Sequence, residues 1–103
     1  MEEGVEEQAR PAGVAAAQLN VTIRNQRGLH ARAAAKFVKL ADQFAAEVTV
    51  RKGDMSVSGR SIMGLMMLAA GPGCEIELLA EGADAERALA AIAELVQRKF
   101  DED

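Results

Sequence analysis

Four short segments of the chain alternate apolar with polar residues, a pattern that is typical of half-buried β-strands. Their apolar positions are Leu19, Val21 and Ile23 in the first segment, Val48 and Val50 in the second, Met55 and Val57 in the third, and Ile76, Leu78 and Ala80 in the fourth. Only the turn sequence Lys52-Gly53-Asp54 separates the second segment from the third, so these two segments predict a β-hairpin.

Two segments between the strands have the features of helices. The first runs from about Ala31 to Phe44, where apolar residues recur at i, i+3, i+4 and i+7. The second is a short apolar run from Ile62 to Ala69, which follows Ser61 and stops at a Gly-Pro-Gly sequence. Since serine is a good N-cap and glycine ends helices, this run predicts a helix of about two turns.

A third helix follows Asp84, which we expect to cap it, and carries Arg98 and Lys99 in its final turn. The order strand, helix, two strands, short helix, strand, helix predicts an α+β fold, in which helices cover one face of an antiparallel sheet. Residues 1–18 hold four Glu and show little periodicity. We therefore predict a flexible acidic tail over 1–18 and one domain over 19–103.

The amino-acid composition argues against several classes of function. The net charge is -4 and no run is rich in Lys or Arg, which argues against a nucleic-acid partner. Cys74 is the one cysteine and His30 the one histidine, so an internal disulfide, a multi-cysteine zinc site and a histidine-rich metal site are excluded. No apolar run approaches the roughly 18 residues of a membrane span. We expect a cytoplasmic protein without a metal, a cofactor or a membrane partner.

Candidate chemistry is concentrated in the run Arg27-Gly28-Leu29-His30-Ala31-Arg32, where a loop enters the first helix. Free N–H groups and the positive dipole end favour an anion at a helix start, and they disfavour a positively charged imidazole on His30. Arg32 could donate a charge-assisted hydrogen bond to a phosphoryl oxygen. Gly28 lets the loop bend tightly. A lone histidine at a helix start is nevertheless most often a polar cap or a surface residue.

The sequence Gly28-Leu29-His30-Ala31-Arg32 resembles the active-site motif of the HPr family, the histidine-containing phosphocarriers of the phosphoenolpyruvate-dependent phosphotransferase system. Thirty-one residues after His30, Ser61-Ile62-Met63-Gly64-Leu65-Met66 resembles the regulatory-serine segment of that family at its usual spacing. The resemblance covers about 19–100. It implies an open-faced β-sandwich, with four antiparallel strands and three helices on one face.

The resemblance also implies roles for individual residues. His30 would accept a phosphoryl group at Nδ1 from enzyme I and pass it to an enzyme IIA-type domain, with Arg32 as the catalytic arginine and Gly28 and Ala31 supporting the phosphate. Ser61 would be a regulatory phosphorylation site for an HPr kinase/phosphorylase. The docking surface for the partners would be formed by Ile62, Met63 and Met66. The chain would act as a monomeric carrier and not as an enzyme.

One departure and two alternatives stay open from the sequence. Ala33 stands where the family commonly has proline, and we expect little loss from this change, because a first turn does not require proline and alanine is the best helix former. A purely regulatory relative would keep the fold and Ser61 without carrying phosphate on histidine, although the presence of both His30 and Arg32 argues against it. A small-ligand-binding α+β module would have no use for the two motifs.

Overall fold

A four-stranded antiparallel sheet forms the frame of the protein, and a computed structural model describes residues 16–102 of it. The strands lie side by side in the order β1, β4, β2, β3. Their bounds are Ala16–Thr22 for β1, Glu47–Lys52 for β2, Met55–Ser58 for β3 and Glu75–Glu81 for β4. Three helices cover one face of the sheet: α1 (Ala31–Ala41), α2 (Ile62–Met67) and α3 (Ala85–Gln97). The predicted α+β class and the element order are confirmed.

Alternation along the strands divides the sheet into a buried and an open face. Val50 and Leu78 stand opposite each other in β2 and β4, and both are completely buried under the helices. On the open face, Arg51 donates to Glu77 across the same pair of strands at 2.6 Å. An antiparallel sheet that is covered on one side produces this two-residue period.

Small and large residues alternate where the helices meet the sheet. Helix α1 buries three alanines around Phe37, which is completely shielded from solvent. Helix α3 buries a similar mixture along one face, namely Ala85, Ala88, Leu89, Ile92, Leu95 and Val96. Alanine lets the helix backbones come close, and the larger side chains fill the space between the helices and the sheet. The core therefore consists of aliphatic side chains packed around the rings of Phe37 and Phe100.

The ends of several elements differ from the prediction. Strand β1 begins at Ala16 and not at Leu19, because Ala16 and Ala17 pair with Glu81 and Ala80 of β4. Helix α1 ends at Ala41 and not at Phe44, since the chain tightens there into i to i+3 hydrogen bonds. Helix α2 ends at residue 67 and not at 69. The part of the predicted acidic tail that covers 1–15 lies outside the described residues.

Asp84 stands at the N-cap of α3 but does not cap it in the predicted way. Its carboxylate accepts no backbone N–H from the first turn of the helix, although its Oδ1 atom accepts from the Arg87 side chain at 3.0 Å. The Asp84 Oδ2 atom instead accepts from the backbone N–H of Ala45 at 2.9 Å, and the backbone N–H of Asp84 donates to the Ala45 carbonyl at 3.1 Å. Asp84 therefore ties the loop before β2 to the start of α3.

A left-handed turn follows α3 where the sequence predicted a continuing helix. Arg98 is the C-cap of α3, and Lys99, Phe100 and Asp101 have φ angles of 59°, 54° and 60°. Such backbone costs about 1–2 kcal/mol per residue for L-amino acids. Burial of the Phe100 ring offsets this cost, as does the hydrogen bond from Lys36 Nζ to the Phe100 carbonyl at 2.8 Å. The turn reverses the chain and sends Glu102 toward the start of α1.

Two glycines with nearly the same backbone conformation provide a test of the packing. Gly28 and Gly53 have φ angles of 65° and 61°, yet a Cβ on Gly28 would lie 2.3 Å from the Ala70 carbonyl oxygen, while one on Gly53 would meet nothing within 4 Å. Gly53→Ala should lower the free energy of unfolding by about 1–2 kcal/mol through backbone strain alone. Gly28→Ala should lower it by roughly 1–3 kcal/mol more, since the loop must move away from Ala70. Urea denaturation of both variants measures the difference, and equal losses would contradict the close approach.

Candidate functional site

The loop before α1 is held against the loop after α2. The backbone N–H of Leu29 donates to the Ala70 carbonyl at 3.0 Å, and the Leu29 side chain is buried. Gly28 reaches this position with a left-handed backbone that leaves no room for a Cβ. Two loops that are distant in sequence thereby fix the direction in which the chain enters the helix.

His30 is the N-cap residue of α1. Its backbone is extended, and its carbonyl accepts the N–H of Ala34 at 2.8 Å. Its side chain makes no capping hydrogen bond and is 20% exposed. The first backbone N–H groups of a helix have no partner inside the helix. With no side-chain cap at this end, the N–H groups of the first turn of α1 are available to an anion beside the imidazole.

A carboxylate from the other end of the chain contacts the His30 ring. Glu102 Oε2 lies within hydrogen-bond distance of His30 Nε2, although 72 residues separate them in sequence. Glu102 Oε1 also accepts from Asn25 Nδ2 at 3.2 Å, and the same amide nitrogen donates to the Gly28 carbonyl at 2.8 Å. Asn25 is 1% exposed. A buried amide thus links the loop backbone to the carboxylate on the ring.

The surroundings of Glu102 favour its ionised form. The hydrogen bond with His30 holds the pKa of the Glu102 carboxyl below its ordinary value. The Asn25 amide and the positive charge of Arg27 lower this pKa further, while partial burial acts in the opposite direction. Because an ionised carboxylate only accepts hydrogen bonds, His30 Nε2 must carry the proton in this contact. With Nε2 as the donor in this contact, Nδ1 is the ring nitrogen that can present a lone pair.

Arg32 and Ala31 lie in the first turn of α1, and both are exposed. Arg32 lies two residues after His30, so both residues are at the same end of α1. Within residues 16–102, Arg32 forms no ion pair. Its guanidinium group can therefore turn toward an anion at the helix start. Arg27, which the sequence reading left without a role, lines the same shallow depression as His30.

Ser61 caps α2, as predicted. Its Oγ accepts the backbone N–H of Gly64 at 2.9 Å, and its carbonyl accepts the N–H of Leu65 at 3.0 Å. The side chain is half-buried at the side of the sheet where α2 meets β3. The cap is confirmed, whereas phosphorylation of Ser61 stays a prediction.

Helix α2 exposes one apolar face, as the sequence predicted. Leu65 and Leu68 point into the core, whereas Ile62, Met63 and Met66 are 40%, 70% and 40% exposed. Met67, which was not predicted, is 65% exposed and extends the same surface. Met66 borders the depression that also holds the His30 ring. The apolar surface and the histidine therefore face the same side of the molecule.

The residues that the sequence reading missed are Glu102, Asn25, Arg27 and Met67. Asn25 and Arg27 lie close to the histidine in sequence, so distance along the chain could have suggested them. No sequence pattern pointed to Glu102, because it is the left-handed turn after α3 that brings this residue back to α1. Among residues 16–102, no group of three His, Cys, Asp or Glu side chains is placed to hold a metal ion. No helix in that range is long and apolar enough to cross a membrane.

Several known proteins resemble this chain along most of its length. The family model described as the PTS HPr component phosphorylation site matches residues 17–98. The phosphocarrier protein NPr of Shewanella violacea is 52% identical over 82 residues, which cover 80% of this chain and 90% of that protein. The phosphocarrier protein HPr of Neisseria meningitidis is 51% identical over 83 residues, covering 81% of this chain and 93% of the relative.

A solved structure has the same fold. The crystal structure of HPr-C-His from Thermoanaerobacter tengcongensis superposes with a TM-score of 0.80 at 40% identity, over 84% of this chain and 98% of that one. Sequence and fold therefore agree along nearly the whole described chain. The chain belongs to the HPr family of phosphocarrier proteins of the phosphotransferase system.

Proposed function

We propose that this chain accepts a phosphoryl group from phosphorylated enzyme I on Nδ1 of His30 and passes it to an enzyme IIA-type domain. The observation that carries the proposal is the His30 ring at the N-cap of α1, where Nε2 faces a carboxylate and the side chain caps nothing. Within residues 16–102, Nε2 of the ring is engaged and Nδ1 has no hydrogen-bond partner, so Nδ1 can act as the nucleophile. In this scheme the protein is a carrier, and other proteins of the phosphotransferase system phosphorylate and dephosphorylate it.

Groups of positive character surround the proposed phosphoryl position. The free N–H groups at the start of α1 and the helix dipole attract a phosphoryl oxygen. Arg32 in the first turn is exposed and can donate to a second oxygen. Gly28 and Ala31 support the phosphate, since the first allows the tight loop and the second presents only a methyl group. Charge that develops during transfer is thus met by groups that are already in place.

The exposed face of α2 is the proposed docking surface for both partners. We define it by Ile62, Met63, Met66 and Met67, whose side chains are each at least 40% exposed. Methionine is flexible and polarizable, which suits a surface that binds different partners in turn. Since Met66 borders the depression beside His30, a partner seated on this surface also covers the histidine.

Ser61 is the proposed regulatory site, where an HPr kinase/phosphorylase would add a phosphate. The Ser61 side chain lies at the N-terminus of α2, next to the docking surface. A phosphate there adds about -1.5 to -2 charges at neutral pH. The partner would then have to remove water from a charged group beside the apolar side chains, which weakens docking.

Incubation with phosphoenolpyruvate and a phosphotransferase enzyme I tests the acceptor. Intact-mass analysis should show one added phosphoryl group, which is lost in acid and retained in alkali. His30→Gln should gain none, and its thermal melt should stay close to that of the parent, because the side chain contributes no cap to α1. An acid-labile phosphoryl group on the His30→Gln variant would place the acceptor elsewhere.

Arg32→Ala tests the proposed charge stabilisation. Initial transfer rates should fall roughly 100-fold, the usual cost of removing one donor that stabilises developing charge. Lys39→Ala is the matched control, since Lys39 is an exposed cation in the last turn of the same helix. Both variants should unfold like the parent in urea. Equal transfer rates for the two variants would remove Arg32 from the mechanism.

Ser61→Asp, or phosphorylation of Ser61, tests the regulatory site. Initial rates of His30 phosphorylation should fall at least several-fold while circular dichroism and the thermal melt stay unchanged, because negative charge is favourable at a helix N-terminus. Ser56→Asp is the control, since Ser56 is exposed on β3 opposite Arg51, on the open face of the sheet. Rates that match those of Ser56→Asp would leave Ser61 as a cap alone.

A further inference from the structure

The C-terminal segment is built to bring one carboxylate to the histidine. Three consecutive residues, Lys99–Asp101, adopt left-handed backbone that L-amino acids disfavour. The turn is closed by hydrogen bonds from Asp101 N to the Arg98 carbonyl at 3.0 Å and from Glu102 N to the Lys99 carbonyl at 2.9 Å. Strained backbone persists only where the surrounding structure fixes it. Here the consequence of the strain is the position of Glu102.

Glu102 is held at both of its oxygens. Oε2 contacts His30 Nε2, and Oε1 accepts from the buried Asn25 amide. The Glu102 and His30 side chains are 19% and 20% exposed, so water competes only weakly for this contact. A hydrogen bond to a charged group in such a partly enclosed place is among the stronger ones in proteins.

We propose that Glu102 is a positioning residue for phosphoryl transfer, because its carboxylate keeps the proton on His30 Nε2 before, during and after the reaction. This proposal rests on the proposed function of His30. The Nδ1 lone pair forms the N–P bond, while the bond from phosphorus to the donor breaks and its electron pair leaves with the donor. The ring then carries a positive charge, and Glu102 lies next to it. In the onward step the N–P electron pair returns to Nδ1, and the leaving group is neutral imidazole.

The charged groups around His30 and Glu102 explain why Glu102 is the carboxylate that acts on the ring. Arg27 borders the His30 depression, and Arg24 and Lys99 line the cavity wall that includes Glu102. Arg32 lies in the first turn of α1, and Asp101 is paired with Arg98 at 3.0 Å. Within residues 16–102, the other charged groups that line these two depressions are cations.

The contact has a defined pH range. The pKa of Glu102 is lowered in the folded chain, chiefly by the hydrogen bond with His30. A lowered pKa means that the stabilisation is fully present above the ordinary glutamate range and is lost only as the pH falls through the folded-state value. Glu102 therefore stays ionised throughout the neutral range in which transfer is measured.

Glu102→Gln tests this role, with Glu86→Gln as a control of equal charge change in the exposed first turn of α3. Two rates are measured. The first is the initial rate of phosphorylation by enzyme I. The second is the rate at which the isolated phosphorylated protein loses phosphate, followed from about pH 6 to about pH 9 on both sides of neutrality. Glu102→Gln should lower the initial rate of phosphorylation about tenfold, since a charged hydrogen bond is lost. The pH at which the rate of phosphate loss falls should also become lower, because the ring gives up its Nε2 proton more easily. Glu86→Gln should change neither.

A spectroscopic signature separates positioning from a structural role. In the parent, the His30 Nε2–H proton should give a slowly exchanging downfield resonance, which Glu102→Gln should lose while the amide spectrum of the core stays the same. A slower Glu102→Gln protein with an unchanged pH profile and an unchanged Nε2–H resonance would overturn the proposal. So would parent-like rates. Failure of the parent to become phosphorylated would instead overturn the proposed function of His30.

Discussion

The contact between Gly28 and Ala70 is the constraint on which the arrangement of the site depends. The Leu29 N–H is bonded to the Ala70 carbonyl, and a Cβ on Gly28 would overlap the same oxygen. This contact joins the start of α1 to the loop that leaves α2. Because of it, the histidine at one helix end and the apolar face of the other helix lie on one side of the molecule. If this contact were looser, α1 and α2 would still form, but the histidine and the apolar face would no longer be held on one side of the molecule.

Two opposite electrostatic influences act on the His30 ring. The start of α1 is positive, and the sequence alone therefore predicts a neutral imidazole. Glu102 adds a negative charge at Nε2, which the sequence reading did not foresee. Together they polarise the ring, with free amide groups and Arg32 near the start of the helix and a carboxylate at Nε2. Under the proposed function, a ring polarised in this way accepts an anionic group at Nδ1 and releases it again.

Local patterns predicted most of the fold, whereas the roles of the candidate site residues came from the resemblance to the HPr family. The strand alternation, the helical spacing and the Ser61 cap depend on neighbours in sequence, and these predictions were confirmed. The errors occur where tertiary contacts decide. The Asp84 carboxylate accepts the Ala45 N–H and not a backbone N–H of α3, and burial of Phe100 bends the chain out of α3 into a left-handed turn. No local pattern encodes either contact. Glu102 was therefore missed, although it contacts the predicted acceptor directly.

The position of phosphorus on the ring tests the account most directly. His30 is the one histidine of the chain, so protein labelled with ¹⁵N only at histidine gives the signals of a single ring. After phosphorylation by enzyme I, a long-range proton–nitrogen spectrum should show phosphorus coupling at Nδ1 and a proton retained on Nε2. Phosphorus coupling at Nε2 would mean that the carboxylate does not hold that nitrogen, and it would contradict the account of the site.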